Sequence, residues 1–276
     1  MLITHNTFEK ARKAIVRQFL TNSYEVETSR WQGIDVSTKP EMRMREVFSY
    51  SFHVPLRSTE DPAHWALDTD CNLPFADVHF AERVSRQPTN PGEAWKIWPW
   101  GHNAAKFLEA ESGNFSHTYQ ERFWPKYANL VGEGPQQQTL EHQTHRGIRY
   151  RYGDLDDLVN HLAADPFSRQ AYLPIWFPED GTCTGRKPCT LGYHFLHRGD
   201  YLNITYHIRS CDFIRHWADD CYLAIRLLLW VLDELRKKDD RWKMVVPGIF
   251  TMHIGSLHCF VNDFRLMQQV AAQEKK

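Results

Sequence analysis

A cysteine directly after a proline opens a short alternating segment in the run Arg186-Lys187-Pro188-Cys189-Thr190. A thiol at a strand edge beside cations is equipped to be a nucleophile, because neighbouring positive charge favours the thiolate. Taken alone, the same residue also fits a small buried hydrophobe, the usual state of a free cysteine. Further on, Arg209-Ser210-Cys211-Asp212 stands where a strand gives way to a long helix. An arginine and a serine there can grip a phosphate through charge-assisted hydrogen bonds, while Asp212 is placed to cap the helix. Asp219-Asp220 fall on the early turns of that helix, where adjacent acids ordinarily form a solvated, dipole-favoured face. Glu82, on its own, reads as an exposed helical acid. Fifteen histidines raise the question of a metal, but His194/His197 and His253/His258 lack acidic or thiol partners at set intervals. No metal site is expected.

Those residues sit in a chain of 276 residues, 42% apolar and 24% charged, long enough to bury a core without disulfide or metal staples. Ten tryptophans and 13% aromatic content exclude disorder as the main state. Thirty-three Lys+Arg against thirty-four Asp+Glu leave a net charge of -1, so no whole-molecule field draws the chain to nucleic acid or anionic lipid. Neither nucleic acid nor membrane is expected as a partner, and any bound anion must be caught by a local arginine cluster. Met1 to Leu20 lacks the apolar core of a signal peptide, and Leu227 to Leu232 is too short to span a bilayer. Six cysteines without a CxxC pair suit free thiols in a reducing cytosol, so a cytoplasmic location is expected.

The elements that must position the candidates read as interleaved strands and helices around one core, an α/β or layered α+β architecture in a single domain over 1–276. Asn6 and Glu9 suggest a capping box for a first helix carrying Phe8, Ala11, Ile15 and Phe19. Met42 to Leu56 alternates like a strand, and Phe75 to Val84 reads as a short helix. Gly132 to His145, with Gly-Glu-Gly-Pro and three glutamines, marks a surface insertion at about 131–147. Asp154 to Ala164 returns to helical spacing. Ala171 to Phe177, Thr190 to Leu196 and Tyr201 to Ile208 read as strands, the last two joined by the turn His197-Arg198-Gly199-Asp200. Asp212 to Arg236 is the longest helix, with Trp217, Cys221, Ile225, Leu228, Leu232 and Leu235 on one stripe. A last strand, Met244 to His253, is followed by a turn at Gly255.

In combination, Asp165-Pro166-Phe167-Ser168-Arg169, Pro188-Cys189, Arg209-Ser210-Cys211-Asp212 and His253-Ile254-Gly255-Ser256-Leu257-His258 resemble the thymidylate synthase family. The family includes phage deoxycytidylate hydroxymethylases and the cytidylate hydroxymethylases of nucleoside-antibiotic pathways. The resemblance covers roughly residues 75 to 262. It implies a large mixed sheet flanked by helices and a homodimer packed sheet to sheet. It also implies a pyrimidine nucleoside monophosphate and 5,10-methylenetetrahydrofolate as the two substrates. By that resemblance Cys189 is the thiolate that adds to C6, assisted by Arg209, and Glu82, at the family's distance before Tyr119, relays protons. Arg209, Ser210, Arg169 (from the neighbouring subunit) and Arg30 are implied phosphate ligands. Asp212 and Tyr119 belong to the folate side, and His258 to the sugar 3′-hydroxyl, unless it is a satisfied core histidine.

Departures from the family pattern refine the substrate. Asp220 stands where thymidylate synthases carry asparagine, whose amide matches the uracil edge; a carboxylate instead accepts from the cytosine amino group and supports a proton at N3. Deoxycytidylate hydroxymethylases carry aspartate at this place, so cytosine is expected, with dCMP ahead of CMP. Phe260 replaces a sugar-binding tyrosine, and Gln170 replaces the second arginine of a pair. The chain also ends soon after His258, without the family's closing flap, so the expected product is a hydroxymethyl group formed by water capture. Thymidylate synthase, a dUMP hydroxymethylase and a non-catalytic nucleotide- or RNA-binding homologue remain as alternatives.

Overall fold

Three long alternating segments build the centre of one mixed sheet. The computed structural model describes residues 3–31, 34–57, 59–128, 153–182 and 186–273. The expected insertion at about 131–147 lies outside the described residues. The central strands are β5 (Met44–Pro55), β8 (Tyr201–Asp212) and β9 (Val246–Phe260). β1 (Ile3–Thr4) and β2 (Tyr24–Val26) pair with β5 on one side; β7 (Thr190–Arg198) and β6 (Tyr172–Pro174) follow β8 on the other, giving the order β1-β5-β9-β8-β7-β6. β8 and β9 run parallel, whereas β5 with β9 and β7 with β8 are antiparallel. β3 (Arg30–Trp31) and β4 (Ile34–Asp35) pair separately.

Alternation gives the sheet two different faces. Phe52, Val54, Ile204, Tyr206, Phe250, Met252 and Ile254 point into the core, where Phe8 packs edge-on to Phe52, Trp65 and Phe250. The helical layer over this face is α1 (Phe8–Asn22), α2 (Pro62–Thr69), α3 (Phe75–Arg83), α4 (Tyr119–Phe123), α5 (Leu155–Ala164), α6 (Trp217–Lys238) and α7 (Phe264–Gln273). The opposite face carries Ser51, His53, His194, Thr205, His207 and His253, all half-buried. His207 stacks on His253 at 5.2 Å, and Ser51 Oγ bonds His253 Nδ1 at 2.8 Å.

Several boundaries differ from the expected ones for local reasons. Thr7, not Asn6, caps α1 and accepts from the Lys10 N–H, while Glu9 pairs with Lys13. The regular ladder is confined to Tyr172–Pro174, and beyond it the Ile175 and Trp176 N–H groups both donate to the Leu191 carbonyl, at 2.9 and 3.2 Å, which ends the regular register. Asp212 ends β8 rather than starting the long helix, which begins at Trp217 after a short connection. Gly255 is not a turn: β9 continues through it to Phe260. The stripe Trp217, Cys221, Ile225, Leu228, Leu232, Leu235 is buried throughout, and the basic end of α6 sits as the helix dipole favours.

Candidate active site

The parallel pair β8–α6–β9 brings two carboxyl ends and a helix start to one edge, the place where such folds hold ligands. Ser210 lies opposite Ser256 and Asp212 opposite His258. β7 begins at the same edge, and the Arg209 N–H donates to the Cys189 carbonyl at 2.9 Å. Gly255 permits the approach of β8, since a Cβ there would lie 2.8 Å from the Arg209 carbonyl oxygen.

Cys189 is half-buried with Arg209 Nη2 4.0 Å from its sulfur. Arg209 donates from Nε to the Pro188 carbonyl at 2.8 Å and from Nη2 to the Lys187 carbonyl at 3.0 Å, so backbone rather than a carboxylate aims it. Arg186, three residues before the thiol, lies over the rings of Phe107 and Phe115. Among the described residues neither arginine forms an ion pair, which leaves two cations free to meet an anion. The expected lowering of the thiol pKa is not observed. Burial pushes the Cys189 thiol up, and Arg209 and Arg186 pull it down only in part, against Asp220 and Asp212.

The acids are not a solvated face. Asp219 is buried and accepts from the Asn72 N–H at 2.7 Å and its side-chain amide at 3.0 Å, which fixes the start of α3. Asp220 is pushed up to about 7 by burial, with Arg83 opposing and Asp219 reinforcing the shift. The Cys211 thiol lies 3.7 Å from Asp220 Oδ2. Asp212 Oδ1 accepts from the N–H groups of Ile214 and Arg215, both at 3.1 Å, so it orders the β8–α6 connection instead of capping α6. Burial raises its carboxyl to about 6, opposed by Arg215.

Glu82 is caged rather than exposed. Its Oε1 accepts from the N–H groups of Glu93 and Ala94, and Oε2 from the Gln120 amide at 2.9 Å. Gly92, at φ +77°, closes the turn, since a Cβ there would meet Glu82 Oε2 at 2.8 Å. Burial raises the carboxyl, but the hydrogen bonds from the Glu93 and Ala94 N–H groups, with His79 Nδ1 3.9 Å from Oε2, outweigh it and leave the group below its ordinary value. Next to it, Arg83 is 4% exposed, donates to His79 Nε2 at 3.0–3.3 Å and lies 4.3 Å from the Tyr119 ring centre. The Tyr119 hydroxyl stands 3.4 Å from Thr190 Oγ1, which bonds the Tyr206 hydroxyl at 2.8 Å.

Ser210 Oγ and His258 Nδ1 are 3.5 Å apart, and burial lowers His258 to about 4, so its imidazole is neutral near pH 7. Phe260 is buried beneath the Arg215 guanidinium. Arg169 and Gln170 lie on the exposed loop before β6, and Arg30 is exposed on β3, next to Trp31, whose ring meets Phe107 and Phe260. Sequence reasoning missed Arg83, His79, Tyr206 and Arg186 as members of the site. Arg186 stood in the run around the cysteine, whereas Arg83 and Tyr206 carried no motif signal. Among the described residues no group of three or more His, Cys, Asp or Glu is placed to hold a metal.

The fold matches thermostable thymidylate synthase A from Bacillus subtilis with a TM-score of 0.63, over 95% of this chain and 84% of that one, at 14% identity. The chain therefore has the thymidylate synthase fold. In sequence it is similar to proteins named "Putative thymidylate synthase" from Methanosarcina barkeri, at 25% identity over 148 residues, and from Methanosarcina mazei, at 24% over 148 residues. Each match covers 52% of this chain and 64% of the relative, so the chain spans less than two thirds of these curated relatives' length. No family model matches the chain.

Proposed function

We propose that this chain belongs to the thymidylate synthase family and transfers a one-carbon unit from 5,10-methylenetetrahydrofolate to C5 of a pyrimidine nucleoside monophosphate. The base is cytosine, the favoured nucleotide dCMP, and the product the 5-hydroxymethyl nucleotide. One observation carries this reading: the Cys189 thiol has Arg209 Nη2 4.0 Å from its sulfur and Arg186 three residues before it, and among the described residues neither arginine has an acidic partner.

Cys189 adds to C6 of the ring, which makes C5 electron-rich. Arg209, Arg186 and Ser210 hold the phosphate by charge-assisted bonds. His258, neutral, is suited to bond a sugar hydroxyl. Asp220 accepts from the C4 amino group and stabilises a proton at N3, which draws electrons from C6. Glu82, fixed by Gln120 and two backbone N–H groups, exchanges protons with the ring substituents. The residues present fit the folate. Asp212 Oδ2 retains acceptor capacity for pterin donors, and Trp98, stacked on His216 at 4.9 Å, keeps a buried Nε1 without a partner. When bound, the folate supplies the electrophilic carbon, and Asp212, Trp98 and Tyr119 would hold it.

A homodimer completes the proposal. The sheet face opposite the helical layer, with His194, His207 and His253, receives a second copy, and the exposed Arg169 contributes to the partner's phosphate site. Arg30 is retained as a further phosphate ligand from the same chain. A cytoplasmic location is in keeping with this chemistry, and no described helix is long and apolar enough to cross a membrane.

The test is incubation with methylenetetrahydrofolate and each of dCMP, CMP and dUMP, followed by mass spectrometry of the nucleotides. A hydroxymethyl gain on dCMP is expected. A methyl gain on dUMP would transfer the assignment to thymidylate synthase, and no gain on any nucleotide would overturn the catalytic reading.

A further inference from the structure

We infer that His79, Gln120 and Glu82 form a water site, and that the water they hold is the nucleophile that completes the hydroxymethyl group. The inference rests on the hydroxymethyl reading of the site and names the residues that bring the oxygen to the carbon.

The site is built around one carboxylate oxygen. Glu82 Oε1 is taken by the Glu93 and Ala94 N–H groups, whereas Oε2 accepts from the Gln120 amide at 2.9 Å. A carboxylate oxygen accepts and does not donate, so the Gln120 amide turns its NH2 to Glu82 and its oxygen away. That oxygen is buried in a residue 2% exposed and has no partner among the described residues. His79 Nδ1 is likewise buried without a hydrogen-bond partner among the described residues, 3.9 Å from Glu82 Oε2. That pair is too far apart for a direct hydrogen bond and close enough to share one water. An orphaned donor and an orphaned acceptor beside one carboxylate oxygen supply the two to four polar partners that a buried water needs.

The imidazole is set for this task from two sides. Arg83 donates to His79 Nε2, from Nε at 3.3 Å and from Nη2 at 3.0 Å, and a guanidinium has no acceptor. The ring proton is therefore on Nδ1, toward Glu82. Phe75 stacks on the imidazole at 5.3 Å and 20°, which holds the ring plane. Burial lowers His79 to about 4, so the ring is neutral near pH 7 and donates without carrying charge. Arg83, 4% exposed, is thus a positioning residue that fixes the tautomer.

The capacity of the water completes the account. It accepts from His79 Nδ1, donates to Glu82 Oε2 and Gln120 Oε1, and keeps one lone pair free. The site lies close to the thiol. The His79 and Tyr119 ring centres are 6.4 Å apart, and the Tyr119 hydroxyl is 3.5 Å from the Thr190 nitrogen, in the peptide that follows Cys189. Once the one-carbon unit is on C5 and the folate has left, C5 bears an exocyclic methylene while Cys189 remains on C6. The free lone pair forms the C–O bond to that methylene, and a water proton passes to Glu82 Oε2. The displaced C=C electron pair enters the ring and then forms C5=C6 as the Cys189 sulfur leaves with its bonding pair. Glu82 returns its proton to solvent, and nothing is oxidised or reduced.

The experiment counts two products of one intermediate. The enzyme turns over dCMP and methylenetetrahydrofolate with added 2-mercaptoethanol, and mass spectrometry gives the ratio of thioether to hydroxymethyl nucleotide. His79→Gln keeps an acceptor for Arg83 but loses the Nδ1 donor, whereas His79→Asn keeps a donor at the Nδ1 position. The ratio rises about tenfold in His79→Gln and in Gln120→Leu, the scale of one lost hydrogen bond to the water, and stays near the wild-type value in His79→Asn. A merely structural role lowers both products together, so an unchanged ratio in folded His79→Gln overturns the inference. Where the His79 variants fail to fold, an unchanged ratio in Gln120→Leu does the same. A second measurement needs no turnover: the His79 Nδ1–H of the unliganded chain shows a nuclear Overhauser contact to a bound water. Absence of that contact in wild type overturns the inference. If the contact is present while wild type makes no hydroxymethyl nucleotide, the hydroxymethyl reading has failed and the water site stands.

Discussion

Replacing Asp220 by asparagine changes the pH dependence of stability in a way that follows from burial alone. The carboxyl titrates at about 7 in the folded chain against an ordinary 3.8, chiefly because burial disfavours its charge. Below the ordinary value both folded and unfolded chains hold the proton, and Asp220 contributes no pH dependence. As pH rises through 3.8 the unfolded chain releases its proton first, so stability falls, and it goes on falling until the folded chain releases its own near 7. At about 1.4 kcal/mol per unit, the shift of roughly three units costs the wild type about 4 kcal/mol above that window. An amide cannot ionise and escapes this loss. Urea unfolding followed by tryptophan fluorescence is therefore expected to show wild type and Asp220→Asn differing little near pH 4, with the variant more stable by about 4 kcal/mol at pH 8. Asp219 and Asp212, both raised to about 6 by burial, add pH dependence to both chains and largely cancel in the difference. A stability gap that stays flat from pH 4 to pH 8 would refute the burial of a titrating carboxylate at this position. A gain of the stated size would show that the chain gives up stability to keep an acid in its recess, as functional groups commonly require.

Two further perturbations address other parts of the recess. Gly92→Ala forces a side chain at φ +77° against the Glu82 carboxylate, so a loss of about 1–3 kcal/mol is expected, with kcat falling more than KM rises; an unaltered melting temperature would contradict the close approach. Iodoacetamide alkylation of Cys189 is expected to reach half its limiting rate above the ordinary thiol range, and at still higher pH in Arg209→Leu, because burial raises the thiol and Arg209 partly counters it; half-maximal alkylation near neutral pH would refute this balance.

The parts of this structure that were legible in the sequence are those governed by local periodicity. The α6 stripe from Trp217 to Leu235 and the hairpin at Gly199 follow from spacing and turn chemistry within a few residues. Boundaries were less legible because long-range pairing decides them. β8 runs on to Asp212 since β9 lies beside it through His258, and no feature near Asp212 announces that partner. Gly255 reads as a turn residue locally but is required in mid-strand by the Arg209 carbonyl. The same distinction holds in the site. Pro188-Cys189 and Arg209-Ser210 could be found as motifs because adjacent residues carry them. Arg83 reaches the Tyr119 ring and Tyr206 bonds Thr190 only after α3, α4 and the sheet have packed, so neither has a sequence signature.

The most direct test of the central claim is the site of covalent attachment. The chain is incubated with methylenetetrahydrofolate and 5-fluoro-dCMP, whose C5 substituent cannot leave as a proton, then denatured, digested and mapped by mass spectrometry. The expected result is nucleotide carried on the peptide containing Cys189, and none in Cys189→Ser. Attachment at another residue, or one-carbon transfer persisting at full rate in Cys189→Ser, would contradict nucleophilic addition by this thiol.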